Sequence, residues 1–337
     1  MRFSAGPATA PSGNVRRRAL VTALAASVMR PRAAPAQPGW PQRPVTIVVP
    51  FPAGGTADAI PRAVVDGLRQ AWGQPVIVDN RPGAAGNIGT AHVANAAPDG
   101  HTLLAAPPPP LVINQHLYVR LRYDPAQLKA VTVMATSPNV VEVSAKLGVR
   151  SLSELVALAK AQPGAVNVAN QGIGTTSHLT AAMFEAAADV RFNHVPYTGS
   201  APALNDLIAG HVDAFFDNIS SSLAHHLAGA TRILAVCASE RAAQLPDVPT
   251  VAEAGVPGFS ALAWYAVVAP RGTPAPIVAR INADLVALIR TPEVQKRFAD
   301  QGATSVGNTP EEAAAFIASE ARLWGEVVRR TNLTPSR

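Results

Sequence analysis

The sequence contains a single cysteine, Cys237, so the chain can form no internal disulfide bond. Several motifs of nucleotide-binding proteins and hydrolases are also missing. Gly54-Gly55 has neither the G-x-G-x-x-G spacing nor the lysine of a P-loop, no G-x-S-x-G elbow occurs, and His225-His226 lack H-E-x-x-H spacing. These absences argue against dinucleotide binding, nucleoside-triphosphate binding and the common hydrolase chemistries. We expect neither a cofactor nor a metal ion.

Acidic residues are missing from the first 36 positions, which explains the isoelectric point of about 10.0. Residues 1–36 hold six of the 28 basic residues, all of them arginine, and none of the 22 acidic residues. The rest of the chain therefore carries equal numbers of each. A basic face for nucleic acid is not indicated, and we expect no nucleic acid among the partners.

The same segment has the layout of an export signal peptide. Arg16–Arg18 precede an apolar run, Ala19–Met29, that is too short to span a bilayer as a mature helix. Ala34-Pro35-Ala36 offers an A-x-A cleavage site, and Arg17–Val21 fits a loose twin-arginine pattern. We expect residues 1–36 to direct export to the periplasm, with the twin-arginine route as one option. A non-cleaved anchor is the alternative.

The stretch Val45–Arg62 predicts a strand, a glycine-rich turn and a helix start. Val45–Val49 is an apolar, mostly β-branched run typical of a buried parallel strand. Gly54-Gly55 lets the backbone approach a ligand without Cβ obstruction. Thr56 or Asp58 can cap the following helix, whose N-terminus would then form an anion cradle. A generic turn between strand and helix is the alternative.

Short apolar runs alternate with capped helical segments along the rest of the chain. This alternation predicts an α/β fold with parallel sheets covered on both faces. Capping residues predict helix starts at Ser151, Ser200, Thr273, Thr291 and Thr309. The predicted strands are Val45–Val49, Val76–Val78, Thr102–Ala105, Val131–Ala135, Val140–Val143, Val166–Ala169, Phe192–Val195, Val212–Phe216, Ile233–Val236 and Ala263–Val268.

So many strands fit two smaller sheets better than one. The chain would cross from one sheet to the other near Ser137-Pro138-Asn139 and return near Gly255–Ala261. We predict two doubly wound sheets joined by these crossover segments, with domain one formed by residues 37–138 plus 262–337 and domain two by residues 139–261. A ligand cleft would lie between them, because ligands of open α/β sheets sit outside the carboxyl ends of the strands.

Several loops that follow strands and open helices are rich in glycine and hydroxyl groups. Gln171–His178, Val195–Ala201 and Phe216–Ser222 have this character. Free N–H groups, hydroxyls and a helix dipole together suit a carboxylate, so the sequence indicates a small anionic ligand. In the loop Asp79–Gly89, Arg81 can pair with an anion or form an ordinary surface salt bridge.

The sequence offers few arrangements of residues that suit catalysis. Ser177 and His178 are adjacent, so on a helix their side chains diverge and cannot form a nucleophile–base pair by themselves. His225-His226 fits a surface helix end better than a metal site. Asp217, a lone carboxylate at a strand end, can bind a ligand amino group or cap a loop. Cys237 is expected to be buried and inert, and Trp264-Tyr265 to pack in the core.

Together these stretches resemble the Bug/TctC-type extracytoplasmic solute receptors of tripartite tricarboxylate transporters. The resemblance covers nearly all of the chain after the export signal. It is carried by W-P-Q-R-P-V-T-I-V-V-P-F-P-A-G-G-T-A-D (40–58), D-N-R-P-G-A-A-G-N-I-G (79–89), P-D-G-H-T-L-L (98–104), S-P-N-V (137–140), G-I-G-T-T-S-H-L (172–179), H-V-P-Y-T-G-S-A-P-A-L-N-D-L (194–207), F-F-D-N (215–218) and L-P-D-V-P-T-V-A-E-A-G-V-P-G (245–258).

The resemblance implies a two-domain, type II-like periplasmic binding protein that closes over a small carboxylate-bearing solute. It further implies a monomer without catalytic activity that serves membrane permease subunits of such a transporter, or a sensor kinase. The positions that match the family's ligand-holding residues are Phe51, Ala53, Gly54 and Gly55 in domain one, and Gly174, Thr175, Thr176, Ser177, His178, Thr198, Gly199, Ser200 and Asp217 in domain two. We add Asp58 and Tyr197 to the predicted binding residues.

One departure from the family pattern follows the third predicted strand. Small hydroxyl-rich residues are usual there, whereas Pro107–Pro110 have neither an N–H group nor a hydroxyl. We include Pro107 and Pro108 among the predicted binding residues and expect an apolar ligand body to be accepted more readily than a second carboxylate. The alternatives are that the prolines only stiffen a loop and, for the whole chain, that it is a periplasmic α/β enzyme acting on a small organic acid.

Overall fold

Strands and helices alternate along residues 39–330, the part of the chain that the computed structural model describes. The strands are β1 Val45–Val49, β2 Val76–Asn80, β3 Thr102–Ala106, β4 Lys129–Ser144, β5 Asn167–Asn170, β6 Asn193–Pro196, β7 Ala214–Asn218, β8 Thr231–Val236, β9 Leu262–Ala269 and β10 Thr304–Ser305. The helices are α1 Thr56–Trp72, α2 Asn87–Ala94, α3 Asn114–Leu117, α4 Leu152–Ala161, α5 Thr176–Ala188, α6 Ser200–Ala209, α7 Ile219–Leu227, α8 Ala275–Ile289, α9 Pro292–Asp300 and α10 Pro310–Arg330.

One sheet links all of these strands in the order β2-β1-β3-β9-β4-β7-β5-β6, and β8 and β10 pair with β4. β1 is parallel to β2 and β3, and β5 is parallel to β6 and β7. β9 runs antiparallel to β3 and β4. The α/β character is therefore confirmed, with a parallel group of strands on each side of the antiparallel pair β4 and β9.

β4 differs from the prediction, because Val131–Ala135 and Val140–Val143 are parts of one strand. Its first part pairs with β9 as far as Pro138, opposite Leu262. Its second part pairs with β7 and β8 from Asn139 and Val140 onward. The chain thus changes partners at the expected crossover without leaving the strand. The proposed domain boundaries stay a prediction, and the first lies inside β4.

The apolar side chains of α1 lie on one face of the helix and are buried. Ile60, Val64 and Leu68 are fully buried and Trp72 nearly so, in a cluster that includes β1 and α8. A second cluster lies around β5, β7 and α5 and contains Phe184 and Cys237. The thiol of Cys237 is buried, which raises its pKa and agrees with the inert role expected of it.

Three of the predicted helix caps are present. Ser151 and Thr291 accept hydrogen bonds from the N–H groups of Glu154 and Val294, and Thr309 accepts one from Glu312. Two caps were wrong. α8 has Pro274 at its N-cap while the Thr273 hydroxyl donates to Pro270 O, and Ser200 is the first residue of α6, after Gly199.

Within residues 39–330, no helix has the length and apolarity needed to cross a membrane. The export signal predicted for residues 1–36 lies outside the described residues.

Candidate functional site

A cavity of about 470 Å³ lies where the strand ends of both parallel groups meet. Four of the predicted loops border it, namely those that follow β1, β5, β6 and β7. The predicted binding residues that line it are Phe51, Ala53, Gly54, Gly55, Pro107, Thr175, Thr176, Thr198, Gly199 and Ser200. Their part in binding a ligand remains a prediction.

Seven predicted binding residues are not in the cavity lining. They are Asp58, Pro108, Gly174, Ser177, His178, Tyr197 and Asp217. The loop Asp79–Gly89 also stays outside the lining, and its Arg81 forms a salt bridge with Asp79 at 2.6 Å. Most of these residues hold in place the loops that do reach the cavity.

Helix N-termini supply the polar side of the cavity. α1, α6 and α7 begin after Gly55, Gly199 and Asn218, and no side chain caps any of the three. The first N–H groups of a helix have no partner within the helix, and the helix dipole adds partial positive charge there. α5 also begins at the cavity, but Thr175 caps it by accepting from His178 N. Three uncapped helix ends at one cavity are suited to an anion.

Fixed charge is missing from this surface. Among the described residues that line the cavity, none is lysine, arginine, aspartate or glutamate. Two carboxylates lie close behind the lining, and both are saturated with donors. An incoming anion therefore meets hydroxyl and N–H groups, and no carboxylate in the described lining repels it.

Asp58 holds the turn after β1. Its carboxylate accepts hydrogen bonds from Gly54 N at 3.0 Å, Arg62 Nε at 2.8 Å and Asn80 Nδ2 at 2.9 Å. Burial alone would raise the pKa of Asp58, but the bonds from Arg62, Gly54 and Asn80 outweigh it and lower the pKa. The expectation that Thr56 or Asp58 is the N-cap was wrong, since both lie in the first turn of α1, after Gly55.

Asp217 is fully buried beneath the loops of the second strand group. It accepts hydrogen bonds from Gln171 Nε2, from Ser200 Oγ at 3.0 Å and from Ser221 Oγ at 2.7 Å. Burial raises the pKa of Asp217, although these donors favour its charged form. Because Gln171, Ser200 and Ser221 line the cavity, Asp217 fixes the direction of three cavity groups at once.

Glu142 on β4 is a second buried acid near Asp217. Its Oε1 accepts a hydrogen bond from Thr231 Oγ1, and its Oε2 has no partner among the described residues. Burial, reinforced by the charge of Asp217, raises the pKa of Glu142 to about 8. Glu142 is therefore protonated in the folded protein at neutral pH.

His178 lies behind the loop that opens α5. Its Nδ1 accepts a hydrogen bond from Gly174 N at 3.2 Å, and its ring is edge-on to His194 with the centroids 5.0 Å apart. Burial, with help from His194, lowers the pKa of His178 to about 4, so the ring is neutral at pH 7. Gly174 has φ of +80° and packs on Leu117, which explains its glycine.

The Tyr197 side chain points toward α6, the helix that follows it. Its hydroxyl donates to Asp206 Oδ2 at 2.7 Å, and burial with the Asp206 contact raises its pKa to about 12. Ser177 is also internal, since its Oγ accepts a hydrogen bond from Gln171 N at 3.3 Å.

Part of the cavity lining is apolar. Phe51, Pro107, Pro109 and Tyr265 form what we call the apolar wall. β1 pairs with β3 through Val48 and Leu104, so Phe51 and Pro107 follow side by side. β3 pairs with β9 through Ala106 and Ala266, which brings Tyr265 next to Pro107.

Several lining residues were missed in the sequence. Tyr265 is buried in the core as predicted but also lines the cavity, and His225, assigned to a surface helix end, lines it as well. Gln171, Ser220 and Ser221 lie in loops that were recognised, and their position after a strand end was the available signal. No local signal marks Asn205, which reaches the cavity from the body of α6.

These features define a solute-binding protein of the periplasmic type, with a ligand cavity between two groups of parallel strands. The chain belongs to the tripartite tricarboxylate transporter receptor (TctC) family, whose model matches residues 60–333. Among curated relatives, BugT of Bordetella pertussis is 39% identical over 294 residues, which is 87% of this chain and 90% of that protein.

Solved structures agree with this assignment. R. palustris Rpa4515 with adipate has a TM-score of 0.85 and 35% identity over 88% of this chain and 100% of that one. MatC (Rpa3494) from Rhodopseudomonas palustris with bound malate has a TM-score of 0.80 and 34% identity over 86% of this chain and 99% of that one. The predicted two-domain periplasmic binding fold and the Bug/TctC resemblance are thus confirmed, and the chain is a solute receptor.

Proposed function

We propose that this receptor captures a small carboxylate in the 470 Å³ cavity. The observation that carries the proposal is the meeting of three helix N-termini, those of α1, α6 and α7, none of them capped by a side chain. A carboxylate placed there accepts hydrogen bonds from N–H groups at the first positions of these helices, where no preceding turn supplies a partner. Related proteins of the same fold are bound to adipate and malate, which supports a carboxylate as the ligand class.

We further propose how the bound solute is used. The receptor acts as a monomer in the periplasm and presents its solute to membrane permease subunits of a tripartite tricarboxylate transporter, or to a sensor kinase. Family membership supports this role. Export through the twin-arginine route is proposed from Arg17–Val21. Mass analysis of the periplasmic fraction tests export and cleavage, because a chain that keeps residues 1–36 would contradict cleavage.

The proposed receptor performs no chemistry on its ligand. The cavity hydroxyls of Ser200 and Ser221 donate to Asp217, and His178 is buried behind the α5 loop. Among the described residues no hydrogen bond joins either serine to a histidine, His225 of the lining included, and nucleophilic catalysis by serine commonly needs such a base. Native mass spectrometry of the purified protein tests this point. A retained, unchanged acid supports the receptor, whereas release of a modified product supports the alternative of an enzyme.

Gly55→Val is the most direct test of the cavity. Gly55 has φ of −88°, and a Cβ built there meets no atom within 4 Å, so the variant should fold normally with its side chain in the cavity lining. Gly39→Val is the matched control, because Gly39 is equally unobstructed and lies outside the lining. Calorimetry with the acid identified by mass spectrometry should show binding lost in Gly55→Val and kept in Gly39→Val. Equal affinity in both would place the site elsewhere.

A further inference from the structure

We propose that the apolar wall makes this receptor select a monocarboxylate with an apolar body over the dicarboxylate of the same length. The inference rests on the proposed function and specifies the ligand. Phe51, Pro107, Pro109 and Tyr265 form that wall in the same cavity as the helix N-termini. The end of the ligand that contacts it must be compatible with hydrocarbon.

The wall offers few hydrogen-bond donors. Pro107 and Pro109 have no backbone N–H, and Phe51 has no polar side-chain atom. The remaining polar group, the Tyr265 hydroxyl, interacts with Thr56. A carboxylate pressed against this surface would lose its water without gaining partners, which is unfavourable.

The wall is also held in place. Gly86 lies between the Phe51 ring and Pro110, and a Cβ added at Gly86 would be 3.2 Å from Phe51 Cε2 and 3.1 Å from Pro110 Cγ. Tyr123 Oη donates to Pro110 O at 2.8 Å and fixes the proline segment from behind. Pro107–Pro110 are all buried. The prolines therefore cannot easily turn away to admit a charged group.

The charge of the cavity lining supports the same preference for a single carboxylate. Because the described lining of the cavity contains no lysine or arginine, the helix N-termini and the hydroxyls beside them are left to hold an anion. Hydrogen bonds between Thr56 and Ser220 and between Ser221 and Ser200 bring the starts of α1, α7 and α6 together, so these three helix ends can serve one carboxylate of the ligand. His225 of α7 is the group most able to assist a second carboxylate, and its help would be seen as tighter binding of the dicarboxylates.

Calorimetry with matched acids tests the proposal on the full mature chain. The pairs are hexanoate with adipate, and 4-methylbenzoate with terephthalate, in which a methyl group is exchanged for a carboxylate. We expect the monocarboxylate of at least one pair to bind about tenfold more tightly than its dicarboxylate. Tighter binding of both dicarboxylates would overturn the inference while leaving the proposed function intact. No binding by any of the four acids, nor by an acid retained on purification, would contradict the proposed function itself.

Adjacent prolines provide a matched comparison. Pro107 and Pro109 line the cavity, whereas Pro108 does not. Pro107→Ser and Pro109→Ser each add an N–H and a hydroxyl to the wall, and we expect the preference for the monocarboxylate to fall about tenfold in at least one of them. Pro108→Ser should keep the preference of the wild type. If Pro109→Ser fails to fold, Pro107→Ser decides, and unchanged selectivity there would contradict a role for the wall.

Discussion

The Thr56 hydroxyl at the start of α1 forms a hydrogen bond with the Ser220 hydroxyl in the first turn of α7. α1 packs on the β1 group of strands and α7 on β8, so this bond joins the two sides of the cavity. Both residues also line the cavity. The bond therefore belongs to the state in which the two sides are close together.

Removing this bond should weaken ligand binding. A net hydrogen bond contributes about 1 kcal/mol, so Thr56→Val and Ser220→Ala should each raise the Kd by roughly threefold to tenfold. The double variant should be little worse than either single one, because both remove the same contact. Calorimetry measures these values. Ser153→Ala, which removes an exposed Ser151–Ser153 contact on α4, is the control and should leave the Kd unchanged.

Asp58→Asn should destabilise the fold and weaken binding together. Asp58 stabilises the folded state through donors from Gly54, Arg62 and Asn80, and hydrogen bonds to a charged group contribute about 2 kcal/mol. Because the folded pKa is lowered, this stability is present above the unfolded value of 3.8 and is lost as the pH falls through the folded value. Urea unfolding should show a smaller acid dependence in Asp58→Asn. An identical dependence would contradict the assignment.

Glu142→Gln should change how stability depends on pH between about 5 and about 8. The pKa rises from 4.5 unfolded to about 8 folded, so unfolding releases a proton between these values and wild-type stability falls as the pH rises through that window. The glutamine variant cannot release that proton. The free energy of unfolding of Glu142→Gln should therefore increase relative to that of the wild type from about pH 5 to about pH 8. A constant difference across the window would contradict the burial of a protonated Glu142.

His178→Ala should lower affinity for all ligands by a similar factor, without changing their order. The ring supports Gly174 N and does not line the cavity. It is neutral in the folded protein down to a pKa of about 4, so wild-type stability should decline as the pH falls below 6.5 toward that value. Thermal shifts with hexanoate and adipate check the first point. A reversal of their order in the variant would mean that His178 contacts the ligand directly.

Local sequence was sufficient for elements that depend on local patterns. Val45–Val49 was predicted to the residue, because a β-branched run bounded by Pro50 leaves little choice. β10 was missed, since Thr304–Ser305 forms a strand only through its pairing with β4. β4 was divided at Pro138, where a proline usually ends a ladder. There the strand has β9 on one side only, so a missing N–H can be tolerated.

The candidate site could likewise be predicted only in part from local sequence. Glycine and hydroxyl patterns located the loops that border the cavity, but not which way their side chains point. Asp217 is held behind the lining by Gln171, which is distant in the chain, whereas His178 is held there by Gly174, four residues before it. Tyr265 reaches the cavity because β9 pairs with β3, and that pairing joins residues far apart in the chain. Direction and long-range pairing were the two facts that the sequence alone could not supply.

The continuous strand β4 restricts which insertions and deletions the gene can tolerate. Side chains alternate between the two faces of a strand, so one residue added near Pro138 would reverse every side chain on one part of β4 relative to the other. Val140 would lose its place opposite Asp217, and the support beneath the cavity would move with it. Length changes should therefore accumulate in surface loops, and the spacing from Lys129 to Ser144 should stay constant wherever this receptor is found.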